Sequence, residues 1–307
     1  MKGPLFYAKI LLFGEYGIIK DSKGLAIPYN TYQGALKKSE ILSEEALKSN
    51  DNLQKFYNYL KDNLEPSQFD LDCFKKDLDE GMYFDSSIPQ GYGVGSSGAL
   101  VAAVYDKYAL NKITVLENLT RDKLLSLKET FSKMESFFHG KSSGLDPLNS
   151  YLSLPILINS KDDLEATGIP SQKLGKGAVF LLDSKMVGET GPMVSIFMNK
   201  MKNEGFRKML NQDFAKYTDA CIDHFLKADI NALFGDVKQL SKVVLKHFKP
   251  MIPKSFHKLW EKGITTNDYY LKLCGSGGGG YILGFTKDYK KAKEVLKDYD
   301  LELVYRF

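Results

Sequence analysis

Apolar residues along this chain follow two rhythms. Residues 5–13, LFYAKILLF, form an almost unbroken apolar and aromatic run that stops at Gly14, which predicts a strand. GLAIPY (24–29) and MYFDSSIP (82–89) predict two more extended segments, the second closed by Pro89. Elsewhere the spacing is helical. Residues 43–64 place Leu47, Leu53, Phe56, Tyr57 and Leu60 on one side of a helix, and residues 120–140 do the same with Leu124, Leu127, Phe131, Met134 and Phe138. Thr120 with Asp122 supplies a start signal for the latter. GALVAAVYDKYAL predicts another helix over 98–110. In the second half, AVFLLDS, YYLKLCG, YILGF and LELVYRF predict strands, with helical stretches across 193–249 and a charged helix over 288–298. Strands and helices mix without regular βα alternation, so the fold class is α+β rather than a doubly wound sheet. The polar, glycine-rich stretch 159–177 is the best boundary between an N-terminal domain (1–160) and a C-terminal domain (175–307).

Composition changes this picture little. A chain of 307 residues suits two domains. Its 42 basic and 38 acidic side chains leave a net charge of +4. The lysines are interleaved with acids, as in KDYKKAKEVLKDYD, which reads as a solvated helix face and not a nucleic-acid surface. Cys73, Cys221 and Cys274 are too few and too scattered for a disulfide framework or a zinc pattern, which fits a reducing compartment. No leader-like apolar segment and no run of membrane-spanning length is present, so a cytoplasmic protein with no membrane partner is expected.

The candidate chemistry starts at GYGVGSSGALVAA (91–103). Ordering glycine-rich backbone is costly, so the loop needs a reason. Gly93, Gly95 and Gly98 match the dinucleotide pattern G-x-G-x-x-G. Pro89 and Gln90 interrupt the strand that pattern requires, and Glu117 is poorly placed as the ribose acid. A Walker A loop is absent. Two readings stay open on the loop alone: a purely structural connection, or a phosphate cradle at the N-terminus of the following helix, where unpaired N–H groups and the positive dipole end favour an anion. The rest of the chain bears on the choice. ESFFHGKSSGLD sets Glu135 near a helix end and Asp146 beyond a Gly/Ser loop, and phosphoryl transfer needs one carboxylate for Mg²⁺ and another near the attacking hydroxyl. CGSGGGGYILGF places glycines between two apolar strands, an unusual position for a linker.

YAKILLFGEYGII, GYGVGSSGALVAA, ESFFHGKSSGLD and KLCGSGGGGYIL, in this order, resemble the motifs of the GHMP small-molecule kinases, and among them those of the mevalonate kinases. The resemblance implies an α+β, two-domain GHMP kinase architecture: a ribosomal-protein-S5-like N-terminal domain, a ferredoxin-like C-terminal domain and an active site in the cleft between them. It implies ATP-dependent phosphorylation of a small alcohol, mevalonate first and phosphomevalonate or homoserine next, with ATP and Mg²⁺ as cofactors. Homodimer formation is left open. By position, Lys9 and Asp146 resemble the catalytic lysine and base. Gly93, Val94, Gly95, Ser96, Ser97, Gly98, Gly277 and Gly278 resemble the phosphate-binding residues. Ser97 and Glu135 resemble the magnesium ligands, and Glu15, Tyr16, His139 and Ser195 fall on the substrate side. Four departures stand out. The family's GEH is GEY here, with Tyr16 for histidine; Ser142 replaces a proline; GLGSSAA has become GVGSSGA; and no APG precedes Lys9.

Overall fold

The computed structural model describes residues 4–20, 22–116 and 118–307; Glu117, weighed above as a ribose acid, lies outside the described residues. In chain order the elements are β1 (Phe6–Phe13), β2 (Gly24–Lys38), α1 (Glu44–Asn63), α2 (Leu71–Asp79), β3 (Met82–Ser86), α3 (Ser96–Tyr108), α4 (Arg121–His139), α5 (Leu145–Leu152), β4 (Ile156–Ser160) and β5 (Asp163–Ala166). They continue with β6 (Ala178–Asp183), α6 (Thr190–Lys200), α7 (Glu204–Met209), α8 (Ala215–Leu226), α9 (Ile230–His247), α10 (His257–Thr266), β7 (Tyr270–Leu273), β8 (Tyr281–Thr286), α11 (Tyr289–Val295) and β9 (Leu301–Arg306). The fold is mixed helix and sheet, as the patterning predicts. Among the described residues, no helix is long and apolar enough to cross a membrane.

The chain divides into two compact units that do not follow one another in sequence. The first holds the residues up to Lys9, Ile27–Pro89 and Gly95–Leu154; the second holds Ile10–Ala26, Gln90–Val94 and Pro155–Phe307.

In the first unit, the end of β2 pairs antiparallel with β3, Leu36 opposite Phe84. Helix α1 starts where the Ser43 side chain accepts from the Ala46 amide, and it buries Leu53, Phe56 and Leu60. Helix α4 starts in the same way at Thr120, whose side chain accepts from Lys123 N, and its buried face carries Leu124, Leu127, Phe131, Met134 and Glu135. A carboxylate on an otherwise apolar face must be held there by specific partners. Helix α3 begins at Ser96, two residues before the expected start, so both loop serines lie in its first turn. Its small residues (Gly98, Ala99, Ala102, Ala103) are buried, which lets neighbouring helices approach closely. Helix α5 was not expected, because Gly144 and Pro147 read as turn formers. Pro147 is the third residue of the helix, where its missing N–H costs nothing.

In the second unit, an antiparallel sheet runs β7-β8-β6-β9. Strand β6 is central, with Leu181 opposite Leu283 on one side and Glu302 on the other, and Ala178 to Leu182 are fully enclosed. The first residues of β2 also pair within this unit, Leu25 opposite Leu157 of β4, and β4 continues into a hairpin with β5. Strand β2 extends well beyond the expected 24–29, because the polar stretch Asn30–Gln33 hides its continuation.

Candidate active site

The first unit assembles Lys9, Ser97, Glu135, His139 and Asp146. Lys9 lies on β1 among buried neighbours and is itself 4 % exposed. A lysine ammonium so enclosed needs an opposite charge, and Asp146 Oδ1 provides it at 2.8 Å from Lys9 Nζ. The two partners differ in access: the lysine side chain is 5 % exposed and the aspartate side chain 36 %. Asp146 is the second residue of α5.

Two glycines of the 91–103 stretch are explained by this pair. A Cβ on Gly98 would lie 2.7 Å from the carbonyl carbon of Asp146 and 2.8 Å from Pro147 N, so only glycine lets α3 rest directly on the start of α5. Gly95 caps α3 in a left-handed conformation, φ 80°, and a Cβ there would lie 3.0 Å from Lys9 Cγ. The loop is therefore moulded around the Lys9–Asp146 pair.

Beside it, the Glu135 carboxylate, 3 % exposed, accepts from Ser97 Oγ at 3.0 Å and from Ser142 Oγ. His139 Nε2 is 3.0 Å from the same Ser97 oxygen. Ser97 has one proton and gives it to Glu135, so the imidazole Nε2–H donates to Ser97. Burial, then the negative charge of Asp146, push the Glu135 carboxyl up to about 7, against the pull of both serines and of Lys9. Desolvation holds the His139 imidazole below its ordinary value, with Asp146 opposing and Lys9 reinforcing the shift.

These residues fit a magnesium ion. Ser97 and Glu135 offer hard oxygen donors side by side, and the Glu135 carboxylate is disfavoured as an anion for want of positive charge, which a divalent cation supplies. Among the described residues no group of three or more His, Cys, Asp or Glu could hold a metal by itself. Mg²⁺ does not require such a cage, since it is commonly held by one or two carboxylates with water and phosphate oxygens completing the shell.

The second unit contains the other candidate residues, Glu15, Tyr16, Gly93, Val94, Ser195, Gly277 and Gly278. Glu15 is 5 % exposed and its Oε1 lies 2.6 Å from Lys272 Nζ, which also donates to the Leu273 carbonyl at 2.8 Å. Tyr16 is 5 % exposed, and its hydroxyl donates to the Ser276 carbonyl at 2.6 Å. Burial, reinforced by the charge of Glu15, pushes this phenol well above its ordinary value, so it is a fixed donor. Both residues have polar partners within their own unit. Ser195 lies exposed in the middle of α6. Thr190, the first residue of that helix, approaches the glycine loop, with Ser276 Oγ 3.4 Å from its Oγ1, and the Met193 side chain packs against Gly278.

Sequence reasoning missed Lys272, Ser276, Thr190 and the role of Ser142. Only Lys272 carried a readable signal, as a lone charge inside YYLKLCG, whose strand is buried at every position. Ser142 stood out as a departure from the family pattern but gave no hint that its hydroxyl reaches Glu135.

Comparison with known proteins agrees with this arrangement. Residues 53–153 match the family model described as the GHMP kinases N terminal domain. No curated protein matches the chain by sequence. Among solved structures, the chain superposes on L. major mevalonate kinase in complex with R-mevalonate with a TM-score of 0.63, at 16% identity, covering 97% of this chain and 93% of that one. Streptococcus pneumoniae phosphomevalonate kinase in complex with phosphomevalonate and AMPPNP gives a TM-score of 0.61 at 14% identity, covering 98% and 99%. Lactococcus lactis galactokinase complexed with galactose gives 0.63 at 13% identity, covering 98% and 92%. The chain thus carries a match to the GHMP kinase N-terminal domain over residues 53–153, and as a whole it has the fold of these kinase structures.

Proposed function

We propose that this protein is an ATP-dependent kinase that phosphorylates a small alcohol, with mevalonate as the acceptor. One observation carries the reading. A buried lysine is paired with a partly open aspartate at 2.8 Å, within the same unit as a buried glutamate hydrogen-bonded to a loop serine. A fold that needed only a salt bridge would have no use for the second, poorly tolerated carboxylate.

In this reading the acceptor hydroxyl attacks the γ-phosphorus of ATP, and its proton passes to an Asp146 carboxylate oxygen. Lys9 holds that carboxylate in place through their ion pair, and its ammonium stabilises the negative charge growing on the attacking oxygen. The first-turn amides of α3 at Ser96 and Ser97 face the phosphates, as unpaired helical N–H groups do. In the first unit Gly95 to Gly98, and in the second Gly93, Val94, Gly277 and Gly278, are the phosphate-binding residues of this reading. Ser97 and Glu135 would hold Mg²⁺, which when bound would neutralise negative charge on the nucleotide phosphates. His139 braces Ser97 through its Nε2–H, leaving the other face of the imidazole for the acceptor.

The spacing of Glu135, His139-Gly140, Ser143-Gly144 and Asp146, which resembles that of the mevalonate kinases, supports mevalonate. Neighbours of the same fold carry mevalonate, phosphomevalonate and galactose at nearly equal structural similarity, so the acceptor is decided by assay. Replacing Asp146 with asparagine tests the chemistry: turnover with the preferred alcohol should fall by about 10²–10⁴-fold while ATP still binds. Turnover near the wild-type value would remove Asp146 as the base.

A further inference from the structure

Tyr16 is the most constrained residue of the second unit. Its backbone is left-handed, φ 62°, a conformation that a bulky side chain keeps only where its surroundings hold it. Its ring packs 4.7 Å from Phe197 and 5.8 Å from Phe248, centre to centre, and its hydroxyl donates to Ser276 O. The preceding residue, Glu15, is tied to Lys272. Two consecutive residues therefore grip the chain at 272 and 276, on either side of the bend where β7 runs into the glycine loop.

That loop presses in turn on residues 91–93, in the same unit. A Cβ on Gly93 would lie 2.5 Å from Cys274 O, and one on Gly280 would lie 2.5 Å from Tyr92 Cα. The Tyr281 amide donates to Tyr92 O at 3.3 Å. Gly275, Gly277, Gly278 and Gly280 are all left-handed and bring no side chains to fix their own conformation. Their order depends on what holds the loop from outside, and the Tyr16 hydroxyl is a direct hold on it.

We infer that Tyr16 is a positioning residue for the nucleotide and not a contact for the acceptor: through the Ser276 carbonyl it fixes the Gly275–Gly280 loop against Gly91–Gly93 and so sets ATP affinity. The inference rests on the kinase reading above, in which these loops cradle the phosphates. It assigns to the chain's tyrosine, where the family pattern has histidine, a function that needs the longer side chain.

The test is Tyr16→Phe in the full-length protein, which keeps the ring and removes one hydrogen bond. KM for ATP should rise about fivefold, as expected for one lost hydrogen bond, with KM for the alcohol within twofold of wild type. Amide hydrogen exchange should accelerate at 275–280 and 91–93. Tyr16→His, whose ring is too short to reach the carbonyl, should behave in the same way and serves if the phenylalanine variant does not fold. A rise in KM for the alcohol with KM for ATP unchanged would overturn the inference, as would unchanged exchange at both segments. If the wild-type protein phosphorylates no alcohol, the kinase reading fails by itself; the exchange measurement, which needs no turnover, still decides whether Tyr16 holds the loop.

Discussion

Each unit contains a buried lysine paired with a carboxylate, and the two pairs differ in what is left over. Lys272 gives its protons to Glu15, to Leu273 O and, at 3.5 Å, to Leu11 O, and both side chains of the pair are at most 5 % exposed. That pair is almost wholly shielded from solvent. In the Lys9–Asp146 pair the lysine is equally enclosed, but the aspartate is one-third open, and a second carboxylate, Glu135, has its proton affinity raised by its burial and then by the charge of Asp146. The first arrangement satisfies its charges and serves the fold. The second sets an accessible carboxylate near a buried one that its surroundings disfavour as an anion, a combination that functional sites often hold. Burial of a lysine is thus no guide to catalysis. The exposure and the charge balance of its partner are.

The comparison breaks most readily at Asp146. Asp146→Asn should lower kcat per folded molecule by about 10²–10⁴-fold, and it should also cost stability, since it leaves the enclosed Lys9 ammonium without its counter-charge. A large loss of stability with retained kcat per folded molecule would reverse the assignment of the two pairs. Lys272→Met should cost stability alone. It leaves the buried Glu15 carboxylate without its partner, which costs about 3–5 kcal/mol in denaturant unfolding, and kcat per folded molecule should stay within a few-fold of wild type. The double variant Glu15→Leu/Lys272→Met should recover most of that stability, because replacing both members of a buried pair by apolar groups is often neutral.

Smaller effects sharpen the first pair. Glu135→Gln and Ser97→Ala should each raise the Mg²⁺ concentration for half-maximal activity, by about tenfold, the scale of removing one partner from a metal site. An unchanged Mg²⁺ dependence in both would place the metal elsewhere. The Glu135 carboxyl is pushed up to about 7, and the metal binds the ionised form, so the wild-type Mg²⁺ requirement should climb as pH falls from 8 to 6. Stability runs in the opposite direction. A carboxyl whose folded value lies above its unfolded one favours folding at low pH, and this contribution is lost as pH rises from about 4.5 to about 7. Glu135→Gln should flatten that slope in the metal-free protein. Ser142→Ala should have the smallest effect. It removes one hydrogen bond that lowers the Glu135 value, so the pH midpoint of the Mg²⁺ requirement should move upward while kcat at pH 8 changes less than about threefold.

How far the sequence reached follows from the same contrast. Segments with a strong period were readable: β1, α1 and α4 lie within a residue or so of their expected limits. Elements whose residues send mixed signals were not. Helix α5 carries a proline near its start, and β2 passes through a polar stretch that local spacing reads as a turn. Within the site, Lys9, Ser97, Glu135, His139 and Asp146 were each legible from motif spacing, and the structure brings them together in one unit. Lys272, Ser276 and Thr190 were hidden, because their partners lie more than 80 residues away in sequence or are main-chain carbonyls, which no residue pattern records. Tyr16 shows the limit most clearly. Its place in the motif points toward the acceptor, whereas its contacts point to the glycine loop.

The kinase reading is tested most directly by ADP release from MgATP with purified protein, measured over a panel of mevalonate, phosphomevalonate, homoserine and galactose. The expected result is alcohol-dependent ADP formation, greatest with mevalonate, requiring Mg²⁺ and reduced at least about 10²-fold in Asp146→Asn. Mg²⁺-dependent release that is greatest with another member of the panel would keep the reaction and correct the acceptor. The same ADP release in wild type and Asp146→Asn, or none above background with any alcohol, would contradict the account.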